Sequence, residues 1–272
     1  MKKPPFFERL AAAQRRNRSL LCVGLDPDPA KLPAVFRKRN ATDVARFNRE
    51  IVRATADCVC AYKPNWAFYE AMGLDGLRAL EKTLDAIPSG IPVIADAKRG
   101  DIGNTAQQYA KALFETWGAD AATVSPYLGL DSLDPFLAYE DRAIYVLCLT
   151  SNPGSADFQI PHRLYLEIAR KLAAKDACGN IGLVVGATQP RRIASVRDAA
   201  PRCPFLLPGV GSQGGSARAA VHGAWGERAG SVVVNVARAV TYASSGRNFV
   251  EAAREAAERY RHEFQSYIPE KG

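Results

Sequence analysis

The segment DAKRGDIGNT, residues 96–105, sets Asp96, Lys98, Arg99 and Asp101 within six positions, directly after the apolar run IPVIA. Apolar strand ends do not need charge for folding, so alternating acid and base here asks for a chemical role. Residues two apart on a strand share a face, so Asp96 and Lys98 project together while Arg99 points away as a structural or interface residue. Turned outward, the pair would lie under an apolar helix layer at considerable desolvation cost. Turned into a barrel mouth, it reaches a ligand. Lys63 ends the run CVCAYKP in the same manner, and Asp26 ends LLCVGLD. Any one of these charges is explained by a structural salt bridge; four at successive strand ends favour a site.

A second signal is PGVGSQGG, residues 208–215, followed by VVVNVARAV, residues 232–240. Gly209, Gly211 and Gly214 fit G-x-G-x-x-G, a weak pattern alone, and one further strand is too little for a dinucleotide domain. Exposed backbone amides there, the Gln213 amide and a bidentate Arg238 make a better phosphate grip. The bland alternative is a glycine-rich turn beside a surface arginine.

These groups need a scaffold that brings strand ends together. Strand-like runs span residues 20–26, 58–64, 91–98, 121–127, 143–151, 181–187, 204–210 and 231–237. Most are continuously apolar, as strands buried on both faces are. Helical patterns fill the gaps. ATDVARFNREIVRATAD aligns Val44, Phe47, Ile51 and Val52 on one stripe, with Thr42 or Asp43 as the cap. NTAQQYAKALFETWG opens like a capping box, Asn104 with Gln107, and stops near Gly118. HRLYLEIARKLAAK and NFVEAAREAAERYRHEF are similarly amphipathic. Eight strands alternating with helices predict a (β/α)8 TIM barrel over residues 1–272 as one domain, with an open doubly wound sheet second. Barrel sites lie at the C-terminal strand ends, where the charges are.

The 272 residues, 47% of them hydrophobic, suffice for such a core. The net charge of +8 is spread over helices, with small clusters at residues 14–18, 36–40 and 189–193. That speaks against nucleic acid and for a modest attraction to anionic metabolites. No apolar run is long enough to span a membrane. Glu8, Arg9, Gln14 and Arg15 interrupt the N-terminal segment, so it does not read as a leader, and a cytoplasmic location is the default. Cys22, Cys58, Cys60, Cys148, Cys178 and Cys203 form no C-x-x-C pair and read as reduced core residues. His162, His222 and His262 show no metal-ligand spacing.

Taken together, DAKRGDIGNT, YKP, LD, PGVGSQGG and ARAV, in this order from about Leu20 to about Ser245, closely resemble the orotidine 5'-phosphate decarboxylase family. The D-x-K-x-x-D core is shared with related sugar-phosphate barrels, and the strand-two lysine with Ile-Gly-Asn-Thr is more specific. The resemblance implies cofactor-free conversion of orotidine 5'-monophosphate to uridine 5'-monophosphate. Position by position, it implies a Lys63–Asp96–Lys98–Asp101 array in which Lys98 protonates C6. It also implies a homodimer in which Asp101 enters the neighbouring subunit's site. Asp26 and Thr105 match ribose contacts, Ser151 a pyrimidine contact, and Gln213 and Arg238 the phosphate grip. A metal-dependent enzyme of the same barrel group is the nearest alternative. It would need an acidic ligand near strand two, where the Lys63 ammonium instead repels a cation. A non-catalytic binder of phosphate ligands is a further alternative.

Overall fold

The computed structural model describes residues 3–210 and 217–269. Each apolar run becomes a strand: β1 (Leu21–Leu25), β2 (Ala61–Pro64), β3 (Ile94–Arg99), β4 (Ala121–Val124), β5 (Ala143–Leu149), β6 (Ile181–Val185), β7 (Phe205–Leu207) and β8 (Val232–Val236). They pair in parallel in the order β2-β1-β8-β7-β6-β5-β4-β3. Two isolated bridges, Tyr62–Val93 and Asn65–Asp96, join β2 to β3. The adjacency of β1 and β8 rules out the open doubly wound sheet. The result is the expected barrel, nearly closed.

Period-two alternation sorts the strands' side chains into two cores. Val232, Val234 and Val236 of β8, like Leu21, Val23 and Leu25 of β1, pack outward under the helices. Cys22, Ala61, Ile94, Ala121, Ala143, Tyr145, Val184, Leu206 and Val233 form the inner core. Gly182 leaves room for Tyr145, because a Cβ there would sit 2.6 Å from its ring carbons.

The N-terminal segment forms a helix, α1 (Phe6–Asn17), that closes the barrel's N-terminal end. Phe6 and Phe7 are buried edge-on against Tyr145, with centroids 6.1 and 5.7 Å away. Burial of such rings contributes about 1.5–3 kcal/mol each. Two of its polar residues tie it to the strands: Arg9 donates to Asp120 at 2.6 Å, and Gln14 donates to the Val232 carbonyl at 2.7 Å.

Local details differ from the sequence expectation. The stripe of Val44, Phe47, Ile51 and Val52 is buried as expected in α2 (Ala41–Thr55), but its cap is Asn40, which accepts from Asp43 N–H. Asp43 instead accepts from the Lys38 and Arg39 N–H groups, fastening the incoming loop. Helix Gly103–Lys111 starts after Ile102 without a side-chain cap, so Asn104 and Gln107 form no capping box. It continues as a π-helical turn, Ala112–Thr116, before Gly118 at φ +66°. All six cysteines are free and five are buried; Cys178 is exposed and so is not a core residue.

Candidate active site

One step beyond the apolar inner core, the inward positions turn polar. Ala61 gives way to Lys63, Ile94 to Asp96, Ala121 to Thr123 and Val233 to Asn235. All four are buried, at the end of the barrel where catalytic groups of this architecture gather. Asp96 is the hub. Its Oδ2 accepts from Lys63 Nζ, and its Oδ1 accepts from Lys98 Nζ at 2.6 Å and from Thr123 Oγ1 at 3.0 Å.

Burial opposes ionisation of Asp96, yet Lys63 and Lys98 outweigh it and hold the carboxyl well below the usual carboxylate range. Burial likewise opposes the charge on Lys63, and Asp96 with Asp26 outweighs it, keeping the ammonium protonated. Lys63 is enclosed, with a side chain 5% exposed, whereas that of Lys98 is 51% exposed. One ammonium therefore anchors the carboxylate and the other faces outward from it.

Backbone geometry aims Lys98. From Ala95 to Arg99 β3 advances four residues while β4 advances two, from Ala122 to Val124. Within this bulge Lys98 adopts φ +46°, a left-handed conformation that costs a non-glycine residue about 1–3 kcal/mol. Strain of this kind concentrates at sites where a side chain must be aimed.

Lys63 and Asp96 form one wall of a cavity of about 180 Å³ whose lining also includes Asp26, Ser151, Asn235 and Arg238; Lys98 is bonded to Asp96 but does not itself line the cavity. Gly209, at φ +93°, lies on its rim with Val210. Burial pushes the Asp26 carboxyl above its usual range, against the pull of Lys63. Its Oδ1 and the Oδ1 of Asn235 are buried with no partner among the described residues. Both are acceptors awaiting donors, an unusual state for buried oxygens. Gly24 is required beside them, since a Cβ there would lie 2.7 Å from the Ala237 Cβ.

Other expected site residues stand apart. Asp101 lies beyond β3, where its Oδ1 accepts from the Ile102 N–H; it makes no hydrogen bond or ion pair with the array among the described residues. Thr105 is exposed on helix Gly103–Lys111. Neither lines the cavity. Gln213 lies outside the described residues, as do Gly211 and Gly214. Arg99 turns to the outer face as expected, pairing with Glu70 and lying 5.3 Å over the Tyr109 ring. Sequence reasoning missed Thr123 and Asn235. Each is a lone polar residue in an otherwise apolar strand, AATV and VVVNV, which is the signal that could have found it.

Among the described residues, no group of three or more His, Cys, Asp or Glu side chains is placed to hold a metal ion. No helix among them is long and apolar enough to cross a membrane.

Known proteins are similar to this chain in sequence and fold. The model of the orotidine 5'-phosphate decarboxylase / HUMPS family matches residues 19–256. An orotidine 5'-phosphate decarboxylase of Herpetosiphon aurantiacus is 50% identical over 261 residues, 94% of this chain and 96% of that one. The orotidine 5'-phosphate decarboxylase of an Azoarcus species is 48% identical, covering 96% of this chain and 99% of its own. Among solved structures, the OMP decarboxylase of Leishmania donovani superposes with a TM-score of 0.81 at 39% identity, over 95% of this chain and 99% of its own. Sequence, barrel and relatives agree: this chain belongs to the orotidine 5'-phosphate decarboxylase / HUMPS family.

Proposed function

We propose that this chain removes CO2 from orotidine 5'-monophosphate, giving uridine 5'-monophosphate in pyrimidine synthesis, through the Lys63–Asp96–Lys98 array and an Asp101 supplied by a second subunit. The enzyme is thus a carboxy-lyase, like the relatives named for this reaction. The observation that carries the reading is the buried Asp96 carboxylate, which is bonded to the Lys63 and Lys98 ammonium groups and, with Lys63, lines a cavity that Arg238 also lines.

Loss of the C6 carboxylate leaves electron density in an in-plane orbital that the pyrimidine π system cannot absorb. An electron sink would have little to act on, so stabilisation must come from fixed charge already in place. Lys98, half exposed and aimed from the bulge, stabilises the developing carbanion and delivers its proton to C6. Asp96 stands near the departing carboxylate and disfavours the charged ground state. Lys63 keeps Asp96 ionised, and the unpartnered Asp26 oxygen accepts from the ribose. Ser151 meets the pyrimidine, Thr105 the ribose, and Arg238 with Gln213 the phosphate. Phosphate binding far from C6 supplies energy that is expressed in the transition state. The reading carries with it a cytoplasmic homodimer.

The direct test is the fall in ultraviolet absorbance of orotidine 5'-monophosphate with folded protein and a chelator present. Turnover unaffected by the chelator is expected; no turnover refutes the reading, and loss on chelation favours the metal-dependent alternative. The shared site has its own test. Mixing inactive Lys98→Ala with inactive Asp101→Ala should restore part of the activity through hybrid dimers. Failure despite demonstrated subunit exchange would remove Asp101 from the neighbour's site.

A further inference from the structure

Thr123 lies on β4 opposite the β3 bulge and is 2% exposed. Its hydroxyl makes two hydrogen bonds that reach different parts of the array. Oγ1 accepts from the Lys98 backbone N–H at 3.0 Å and donates to Asp96 Oδ1 at 3.0 Å. A hydroxyl has one proton, so while it donates to Asp96 it meets the Lys98 N–H as an acceptor. The direction of both bonds is therefore settled.

The bulge explains why a side chain is needed here. Where the β3–β4 register slips, the ladder between Ala95–Ala122 and Arg99–Val124 is interrupted. The Lys98 N–H bonds the Thr123 hydroxyl in place of a β4 carbonyl, so without that hydroxyl a partly buried donor would lose its partner. Lys98 also carries the left-handed strain, which persists only where surrounding contacts over-determine it. Thr123 is itself held firmly. It pairs in register with Tyr145 of β5, and its branched Cβ restricts χ1.

We propose that Thr123 is a positioning residue of the decarboxylation. Its hydroxyl holds the Lys98 backbone in the left-handed conformation and fixes Asp96 Oδ1 where the Lys98 ammonium meets it. The inference rests on the decarboxylase reading for its kinetic consequence and on the bulge alone for its structural one. Thr123 touches no reacting atom in this scheme; it acts through Lys98 and Asp96. Its loss should therefore lower kcat and leave KM nearly unchanged, since misplacement by about 1 Å can cost about 100-fold in rate.

The test compares Thr123→Val, which keeps shape and loses the hydroxyl, with Thr123→Ser, which keeps the hydroxyl. Valine should lower kcat about 10- to 100-fold with KM within about three-fold, and serine should recover kcat to within about three-fold of the native enzyme. Crystal structures of the two variants supply a readout independent of turnover. In Thr123→Val, Lys98 should leave positive φ or its ammonium should move out of bonding distance of Asp96. In Thr123→Ser both should stay. Should the valine variant fail to fold, Thr123→Ala carries the same comparison. Native kcat in a hydroxyl-free variant, equal impairment in serine and valine, or an unmoved Lys98 would each overturn the proposal. Absence of turnover in the native protein would instead sink the decarboxylase reading, leaving the crystallographic arm to judge Thr123.

Discussion

At the N-terminal end of the barrel, Asp120 accepts from Lys3 at 2.7 Å, Arg9 at 2.6 Å, Arg142 at 3.1 Å and the Val93 N–H at 2.9 Å. At the C-terminal end, Asp96 accepts from Lys63, Lys98 and Thr123. Both are buried carboxylates whose ionisation burial opposes and cations restore, so both sit below the usual carboxylate range. Their surroundings differ. Arg9 also donates to the Pro4 and Asp141 carbonyls and Arg142 to that of Ala119, so those cations are consumed in sealing α1 to the strands. Around Asp96 bonding capacity is left over: Lys98 is half exposed, and Asp26 and Asn235 keep unpartnered oxygens beside a cavity. A depressed carboxyl pKa marks both ends and so does not by itself identify a site. Leftover hydrogen-bonding capacity facing a cavity does.

The largest effect should separate the ends by activity. Lys98→Ala should lower turnover by about 10⁴-fold or more, combining loss of the proton donor and of fixed charge. Arg142→Ala, at the other end, should leave kcat/KM within about two-fold and show its cost in thermal stability. Steady-state rates on both variants, with circular dichroism to confirm folding, check this. A crippled Arg142→Ala that is fully folded would break the comparison.

Stability should divide the ends by burial of the cations rather than of the carboxylates. Asp96→Asn leaves Lys63 enclosed without its hydrogen-bonded carboxylate, a loss of about 3–5 kcal/mol for a buried pair. Asp120→Asn strands cations that reach solvent more freely, Lys3 with a side chain 45% exposed, and should cost less, about 1–3 kcal/mol. Denaturant midpoints at neutral pH measure both. Equal losses would mean that Lys63 relaxes toward water when its partner is neutral.

Acid should act on both ends in the same sense. For Asp96 and Asp120 the folded chain holds the proton less tightly than the unfolded chain. Their contribution is present above the ordinary carboxylate pKa, about 4, and is lost as pH falls through the lower folded values. Asp26 runs the other way: its raised folded pKa gives a contribution present at low pH and lost as pH rises through that value. Denaturation curves between about pH 2 and 5 should therefore show an acid limb that flattens in Asp120→Asn. An unchanged limb would remove the N-terminal cluster from the acid response.

The eight strands were legible because a parallel strand buried on both faces needs a continuous apolar run, and each run here became one. Convergence of Lys63, Asp96 and Lys98 was legible as well, since each ends such a run and a barrel gathers strand ends. The bulge was not. Its register slip and the left-handed Lys98 depend on how β3 meets β4, which no local pattern encodes. Thr123 and Asn235 escaped for a related reason: a single polar residue in a strand acquires meaning only when its neighbours across the barrel are known. Asn40 displaced Thr42 and Asp43 as a cap because the approach of the Lys38–Arg39 turn claimed Asp43. Asp101 and Thr105 were carried by resemblance, and one chain does not bring them to the cavity.

The smallest effect concerns the charge in DAKRGD that faces away. Arg99 pairs with Glu70 and lies over Tyr109 on the outer surface, with side chains 27% and 40% exposed in the ion pair. Pairs this accessible contribute about 0.2–1 kcal/mol, and a cation over the partly buried Tyr109 ring adds a similar amount. Arg99→Gln should thus lower stability by about 1–2 kcal/mol and leave kcat/KM within about two-fold. Its neighbour at position 98 carries the 10⁴-fold effect, so adjacent cations of one segment should differ by several orders of magnitude in turnover. A large loss of kcat in folded Arg99→Gln would mean that the bulge transmits the outer ion pair to Lys98. The aim of the ammonium would then depend on both faces of β3 rather than on the inner one alone.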